Sequence, residues 1–343
     1  MSMNHRKRGA LSQSKLFNEN AVKKIKSHKE TKIIQPVQVS QTDQRNELVF
    51  FIKPELLLVD DEAKILNSMR LIQEKFEAFN VAVHGTALVT GSYLDENEIM
   101  NRHYGFINLL SRKASEIVDT ETRDRIFDDL GKKDNKNHHI LGGHEFLKTF
   151  NTDVKTLSGV WFGKGARKLR SGFYFIEEEF KDEPIILVNG FHPSQLEHFT
   201  HEDHRILLML LHTDTDWLEM KFDLVGDTFP ERAKPDSIRG MLAAEPDKYG
   251  LMEVGINANG VHLSAGPFEA AFEVVNFFGA ILNLDPAHDP PLAIKRAQEA
   301  GFSQDDALGL LTNPMLNESD LFTETENLNT DEGVDLIKSQ ITQ

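Results

Sequence analysis

The run Asn259-Gly260-Val261-His262-Leu263-Ser264-Ala265-Gly266-Pro267 sets an imidazole two residues before a hydroxyl and just ahead of a helix that Pro267 can open. That helix is amphipathic and carries Glu273, eleven positions after His262. An imidazole beside a hydroxyl and a helix start, with a carboxylate within reach, has the parts of a nucleophile that accepts a phosphoryl group. The alternative is a histidine that only makes hydrogen bonds at a strand end.

Composition narrows what such a site could be. The chain has 343 residues, 40% of them hydrophobic, enough for a substantial core in one large domain or two ordinary ones. It has no cysteine, so thiolate chemistry, disulfides and thiolate metal sites are excluded. A formal net charge of -16 argues against general nucleic-acid binding, which needs a basic face to release counterions. An anionic nucleotide then needs a locally positive pocket. No apolar run reaches the roughly 20 residues of a membrane span, and residues 1–32 lack the apolar stretch of a signal peptide, so the cytoplasm is the expected location.

The elements that must position these residues can be read from periodicity. Residues 1–46 are rich in Lys, Gln, Ser and Asn without a sustained period and read as a mobile basic arm. Leu48-Val49-Phe50-Phe51-Ile52 is a strand-type run ended by Lys53-Pro54. Ile65, Met69, Ile72, Phe76 and Phe79 then recur at helical spacing between Asp60-Asp61 and Asn80. Residues 81–89 predict a second strand and 95–112 a second helix. The stretch 113–203 is mixed: 134–139 reads as a polar loop, and 160–162, 173–176 and 185–188 as strands. Ile206 to Leu211 predicts a buried strand, 217–225 a helix, 226–240 a loop and 267–278 a helix. Two weak helices, 292–300 and 304–311, lead into a polar acidic tail from Asn317. Alternation of strands and helices around the mixed segment favours an α/β (α+β) fold, a ferredoxin-like sandwich with a βαββαβ core.

Five sets of residues in order carry a resemblance: Phe51-Ile52-Lys53-Pro54; Arg102-His103-Tyr104; Gly226-Asp227-Thr228; Lys234-Pro235-Asp236-Ser237-Ile238-Arg239-Gly240; and Asn259 to Ser264 with Glu273. Singly they are weak, but in this order and spacing the chain resembles the nucleoside diphosphate kinase family over about residues 47–112 and 206–280. The resemblance implies a kinase-like domain over 47–285, interrupted by a large inserted subdomain at about 113–203 and followed by a C-terminal extension over 286–343. It implies transfer of the terminal phosphate of a nucleoside triphosphate to His262 and then to a nucleoside diphosphate. Glu273 would orient the imidazole, since one ring nitrogen can attack only if the other holds its proton elsewhere. Lys53 and Arg239 would be phosphate-binding cations, Thr228 a phosphate-binding hydroxyl, Tyr104 the tyrosine near the nucleophile and Asn259 the sugar contact. Ser264 belongs with the nucleotide-binding residues. Each has a plainer reading outside this context: surface cations, an exposed helix carboxylate, a buried Tyr, a turn Asn. Magnesium would ride on the nucleotide phosphates and water, so no metal ligand is named. The implied partners are ATP and nucleoside diphosphates, with neither nucleic acid nor membrane, and a symmetric homo-oligomer.

The chain also departs from the family pattern. Where the family has a second arginine, six residues before Thr228, this chain has Phe222; Leu263 and Ala265 replace the glycine and aspartate around the serine. Loss of one guanidinium would weaken transfer on the order of 10²-fold. The basic run Gly163 to Arg170 in the insertion is a candidate source of the missing cation, against the plainer reading of a solvated loop. His192, His198, His201 and His204 match no zinc signature and read as a solvent-facing cluster. The expected function is a nucleoside diphosphate kinase acting through phospho-His262. The alternatives are a catalytically weak nucleotide-binding regulatory or assembly protein, and a phosphotransferase with another acceptor.

Overall fold

The computed structural model describes residues 17–40, 42–133, 137–170, 172–252, 254–255, 258–316 and 319–341. Within the described residues the strands, in chain order, are β1 (Lys32–Gln35), β2 (Asn46–Ile52), β3 (Ala82–Thr90), β4 (His139–Gly142), β5 (Arg167–Arg170), β6 (Phe173–Phe180), β7 (Glu183–Val188), β8 (Arg205–Thr213), β9 (Val261–Leu263), β10 (Met315–Leu316) and β11 (Ser319–Asp320). With the many helices between them they make a mixed α/β architecture. The chain divides into two compact units, residues 1–97 with 202–343, and residues 98–201.

The first unit is built on a five-stranded sheet of order β1-β3-β8-β2-β9, every neighbouring pair antiparallel. Strand β2 is buried at every position, as its continuous apolar run requires of a strand covered on both faces. Leu48, Phe50 and Ile52 point into the main core, together with Leu207, Met209 and Leu211 of β8. The helix Glu62–Ala78 covers that face through Ile65, Met69, Ile72 and Phe76, the stripe read from sequence; Asp61 caps it by accepting from the Ala63 N–H. Val83 and Leu88 of β3 reach the same core despite their odd spacing, because a bulge between Val83 and Gly85 shifts the register. On the opposite face the helix Pro267–Glu273 packs on β2.

The second unit holds a sheet of order β4-β7-β6-β5, with β4 and β7 parallel and the other pairs antiparallel. Alternation along β7 divides the core: Ile186 and Val188 face the helices Gly105–Ile117 and Thr120–Asp129, while Ile185 and Leu187 face Gly143–Phe150 and Val154–Phe162. This unit starts at residue 98, not near 113, so the helices Ile99–His103 and Gly105–Ile117 belong to it.

Several sequence expectations are corrected. The apolar run 160–162 is the end of a helix capped by Asp153, not a strand; Leu157 and Trp161, four apart, are its buried positions, and three apolar residues alone do not distinguish the two periods. The single helix expected over 95–112 breaks at Glu98, which has φ +51, after Asn97 closes the preceding turn. The helix Gly105–Ile117 is itself kinked at Lys113, where Glu145 captures the Ser115 N–H. Of the loop read at 134–139, His139 is in β4, and residues 134–136 lie outside the described residues.

The arm read as mobile and the polar acidic tail both contain ordered elements. Residues 1–16 of the arm lie outside the described residues, but Glu19–Ser27 is a helix capped by Asn18, and β1 pairs with β3. Phe17, Val22 and Ile25 enter the main core. Val22 and Ile25 lie three apart on one face of this nine-residue helix, whose stability comes from docking that face. The acidic tail likewise folds: Leu321–Glu324 and Thr330–Ile341 are helices, with Leu321, Val334 and Ile337 buried against Phe268 and Ala271 of the Pro267–Glu273 helix. Arg45 holds this end by pairing with Asp331, Glu332 and Asp216. No helix among the described residues is long and apolar enough to cross a membrane.

Candidate active site

The site in the first unit is built outward from the turn into β9. Gly260 has φ +80, and a Cβ there would lie 2.6 Å from Leu242 and 2.9 Å from Leu56, so glycine alone fits. The turn is clamped from both sides: the Lys53 N–H donates to the Gly260 carbonyl (2.9 Å), and the Gly260 N–H donates to Glu55 Oε1 (2.8 Å). This fixes the register that places His262 directly across from Phe51. The two rings stack at 4.4 Å with 16° between their planes, and Phe277 lies 5.5 Å from Phe51.

His262 Nε2 lies 2.7 Å from Glu273 Oε1. A carboxylate only accepts, so this contact assigns the ring proton to Nε2. Glu273 is fully buried, and its other oxygen accepts from the Ser264 hydroxyl at 2.5 Å. Ser264 is held in turn by β2, where its Oγ accepts from the Val49 N–H (2.9 Å), and its carbonyl accepts from the Trp217 indole (3.0 Å). A buried carboxylate is costly unless its oxygens are partnered, and here both are. The result is an imidazole of fixed tautomer and plane, part-exposed, backed by a buried acid.

Two cations surround the same turn. Lys53 is buried and donates to Asn259 Oδ1 at 2.7 Å. Burial, and secondarily Arg239, pushes its ammonium down to about 8, against the opposing pull of Glu55. Arg239 is buried too, donating from Nη1 to the Gly226 carbonyl and from Nη2 to the Val261 carbonyl, both at 2.9 Å. Its Nε has no partner among the described residues, and burial lowers its pKa to about 10 while Asp227 and Glu55 oppose the shift. Among the described residues neither cation has a carboxylate within ion-pair distance. Two buried positive charges beside one turn, short of an ion-pair partner among the described residues, favour an anion there.

Seven of the eight residues singled out from sequence lie in this unit. Asn259 links Lys53 to the 226–240 loop by donating to the Thr228 carbonyl (3.2 Å), while the Thr228 side chain is exposed. Tyr104 belongs to the other unit, where its ring packs near His192 (5.2 Å) and Phe199 (6.3 Å). Phe222 offers no cation, and its neighbour Lys221 is engaged by Glu326 and Asn327. Ala265 accepts from the Asn327 N–H (2.8 Å), so the C-terminal extension packs on the loop after Ser264. In the second unit the basic run has partners of its own: Lys164 pairs with Glu178, Arg167 with Asp129, and Arg170 lies over the Phe106 ring. His192 is fully buried, bonded to Asn108 and pushed down to about 3 by burial first, so the reading of a solvent-facing cluster fails for it. Sequence reasoning missed Phe51, Glu55 and Trp217. Phe51 and Glu55 flank Lys53 at two residues on either side; Trp217 left no signal of its own.

No family model matches the chain, and no match is found among curated proteins. A solved structure described as an NDP kinase from Pyrobaculum aerophilum is similar over 68% of this chain and 95% of that one, at 16% identity and a TM-score of 0.33. That likeness is weak and has no bearing on the chemistry of the site.

Proposed function

We propose that this chain is a nucleoside diphosphate kinase-like phosphotransferase that moves the terminal phosphate of a nucleoside triphosphate to a diphosphate through His262. The observation that carries this reading is the pairing of His262 with buried Glu273 beside two buried cations that have no carboxylate at ion-pair distance among the described residues. With Nε2 holding the proton, the other ring nitrogen, Nδ1, attacks the terminal phosphorus. The N–P bond forms as the bond to the bridging oxygen breaks, and the electron pair leaves with the diphosphate. Glu273 stabilises the imidazolium that results, and Ser264 holds the carboxylate in place. Lys53 and Arg239 offset charge on the moving group, the dominant requirement of phosphoryl transfer. The reverse step onto an acceptor diphosphate restores neutral His262. Asn259 and Thr228 take the sugar and phosphate roles that the motif order suggests.

The hydrogen-bond donors around the turn include ammonium, guanidinium and amide groups, a set that suits phosphate oxygens. Magnesium held by the phosphates and water would add charge neutralisation there. The order β3-β8-β2-β9, with helices between β2 and β3 and between β8 and β9, supports a ferredoxin-like βαββαβ core interrupted by residues 98–201. A symmetric homo-oligomer in the cytoplasm belongs to the same proposal.

A second reading is favoured by Phe222 and by the inward engagement of Arg239 with backbone carbonyls: a nucleotide-binding protein with little turnover. Incubation with γ-labelled ATP and a chase with several diphosphates decides between them. Label on His262 that leaves on diphosphate addition supports the kinase. Absence of label with nucleotide bound supports the binding module, and label that no diphosphate removes points to another acceptor.

A further inference from the structure

We infer that Phe51 is a positioning residue that stabilises the phosphorylated form of His262, an inference that rests on the phosphohistidine reading above. The two residues are cross-strand partners in β2 and β9, and their rings stack nearly parallel at 4.4 Å. Phe277, from the helical segment that follows Glu273, lies behind at 5.5 Å, and Phe51 and Phe277 are both fully buried. One face of the imidazole is therefore covered by a dry aromatic wall, while one ring edge is fixed by Glu273.

Phosphorylation at Nδ1 with the proton kept on Nε2 turns the ring into an imidazolium. A cation lying over an aromatic face is attracted by the ring quadrupole, and more so where water is excluded. Phe51 thus does two things for the intermediate: it favours the charged ring, and it keeps water from one side of the phosphoryl group. Hydrolysis of the intermediate needs a water oxygen to attack phosphorus as the N–P bond breaks; the imidazole then returns to its neutral form and inorganic phosphate departs. Shielding slows that attack without hindering a diphosphate that approaches past Lys53 and Arg239.

Phe50 provides an internal control, because it is the neighbouring residue on the same strand, is equally buried and faces the opposite core beside Phe76. Truncating it perturbs packing to a similar degree but cannot touch the imidazole. The test uses the full chain and phosphoramidate, a chemical phosphoryl donor that transfers PO₃ to imidazole with loss of ammonia, so no nucleotide step is required. Phosphate on the peptide bearing His262 is followed over time by mass spectrometry. Phe51→Leu is expected to shorten its lifetime roughly tenfold, ~1.4 kcal/mol, relative to the parent, with Phe50→Leu unchanged. Phe51→Met, which keeps volume but lacks a π face, should behave as Phe51→Leu and guards against loss of folding in the first variant. Equal lifetimes in the parent and both Phe51 variants, or the same shortening in Phe50→Leu, would overturn the assignment. Failure of ATP to label the parent protein would instead remove the kinase reading, and the lifetimes would still decide the role of Phe51.

Discussion

Raising the pH from about 7 to about 9 should weaken nucleotide binding through Lys53. Burial holds this ammonium near 8, far below an ordinary lysine, so it is roughly nine-tenths charged at the lower pH and roughly one-tenth at the higher. A polyphosphate gains most from the charged form, and it must restore the proton when it binds to the neutral one. The expected loss is therefore about tenfold in affinity, ~1.4 kcal/mol. Phosphate groups with second pKa values near 6 are already ionised across this window and do not mask the effect. Isothermal titration calorimetry with a non-hydrolysable ATP analogue, at constant ionic strength because exposed charges are screened by salt, measures it directly. Lys53→Met should bind more weakly and show no such slope. The same burial has a stability consequence of opposite sign. Between about 8 and the ordinary lysine value the unfolded chain holds a proton that the folded chain has released, so stability without ligand rises with pH there, and the cost of burying the charge at neutral pH is on the order of 3 kcal/mol. Lys53→Met should thus gain stability while losing affinity. A flat parent affinity over the window, or an equally steep decline in the methionine variant, would refute the role given to Lys53.

Other consequences follow from single contacts. Glu273→Gln keeps the shape of the acid but removes its charge and frees the ring tautomer, so phosphorylation of His262 should slow by on the order of 10²-fold or more with nucleotide affinity nearly unchanged; rapid-quench labelling measures the rate. Gly260→Ala places a Cβ against Leu242 and Leu56 at φ +80 and should cost about 2 kcal/mol in urea denaturation, with phosphorylation falling further than stability explains because the β9 register moves. In the second unit, His192 is neutral when folded down to about pH 3, whereas the unfolded chain takes up a proton near 6.5. Stability should therefore fall as pH drops through that interval, by on the order of 4 kcal/mol at its lower end, and hydrogen exchange in residues 98–201 should show the slope shrinking in His192→Gln.

Strongly patterned elements were legible from the chain because their own period reveals them. The Ile65, Met69, Ile72, Phe76 stripe gave its helix to within a few residues, and the apolar runs 48–52 and 206–211 gave two of the three interior strands of the first sheet. The helices at Glu19 and Thr330 do carry apolar spacing, Val22 with Ile25 and Val334 with Ile337, but it is brief and set among polar residues, and docking stabilises them. The early start of the second unit was invisible because a boundary is a property of contacts, not composition.

The sequence by itself determined which groups are available for chemistry: no thiol, a histidine followed by a serine and then a carboxylate at helical reach, and lysine and arginine in motifs that recur in order. Only the tertiary structure decided their state. It brought Glu273 back across eleven residues to His262, stacked Phe51 on the imidazole through strand pairing, and buried Lys53 and Arg239 side by side at one turn. Tautomer, ring plane and proton affinity depend on distance and on exclusion of water, and both are set by how remote segments pack, which residue types along a chain do not encode one position at a time.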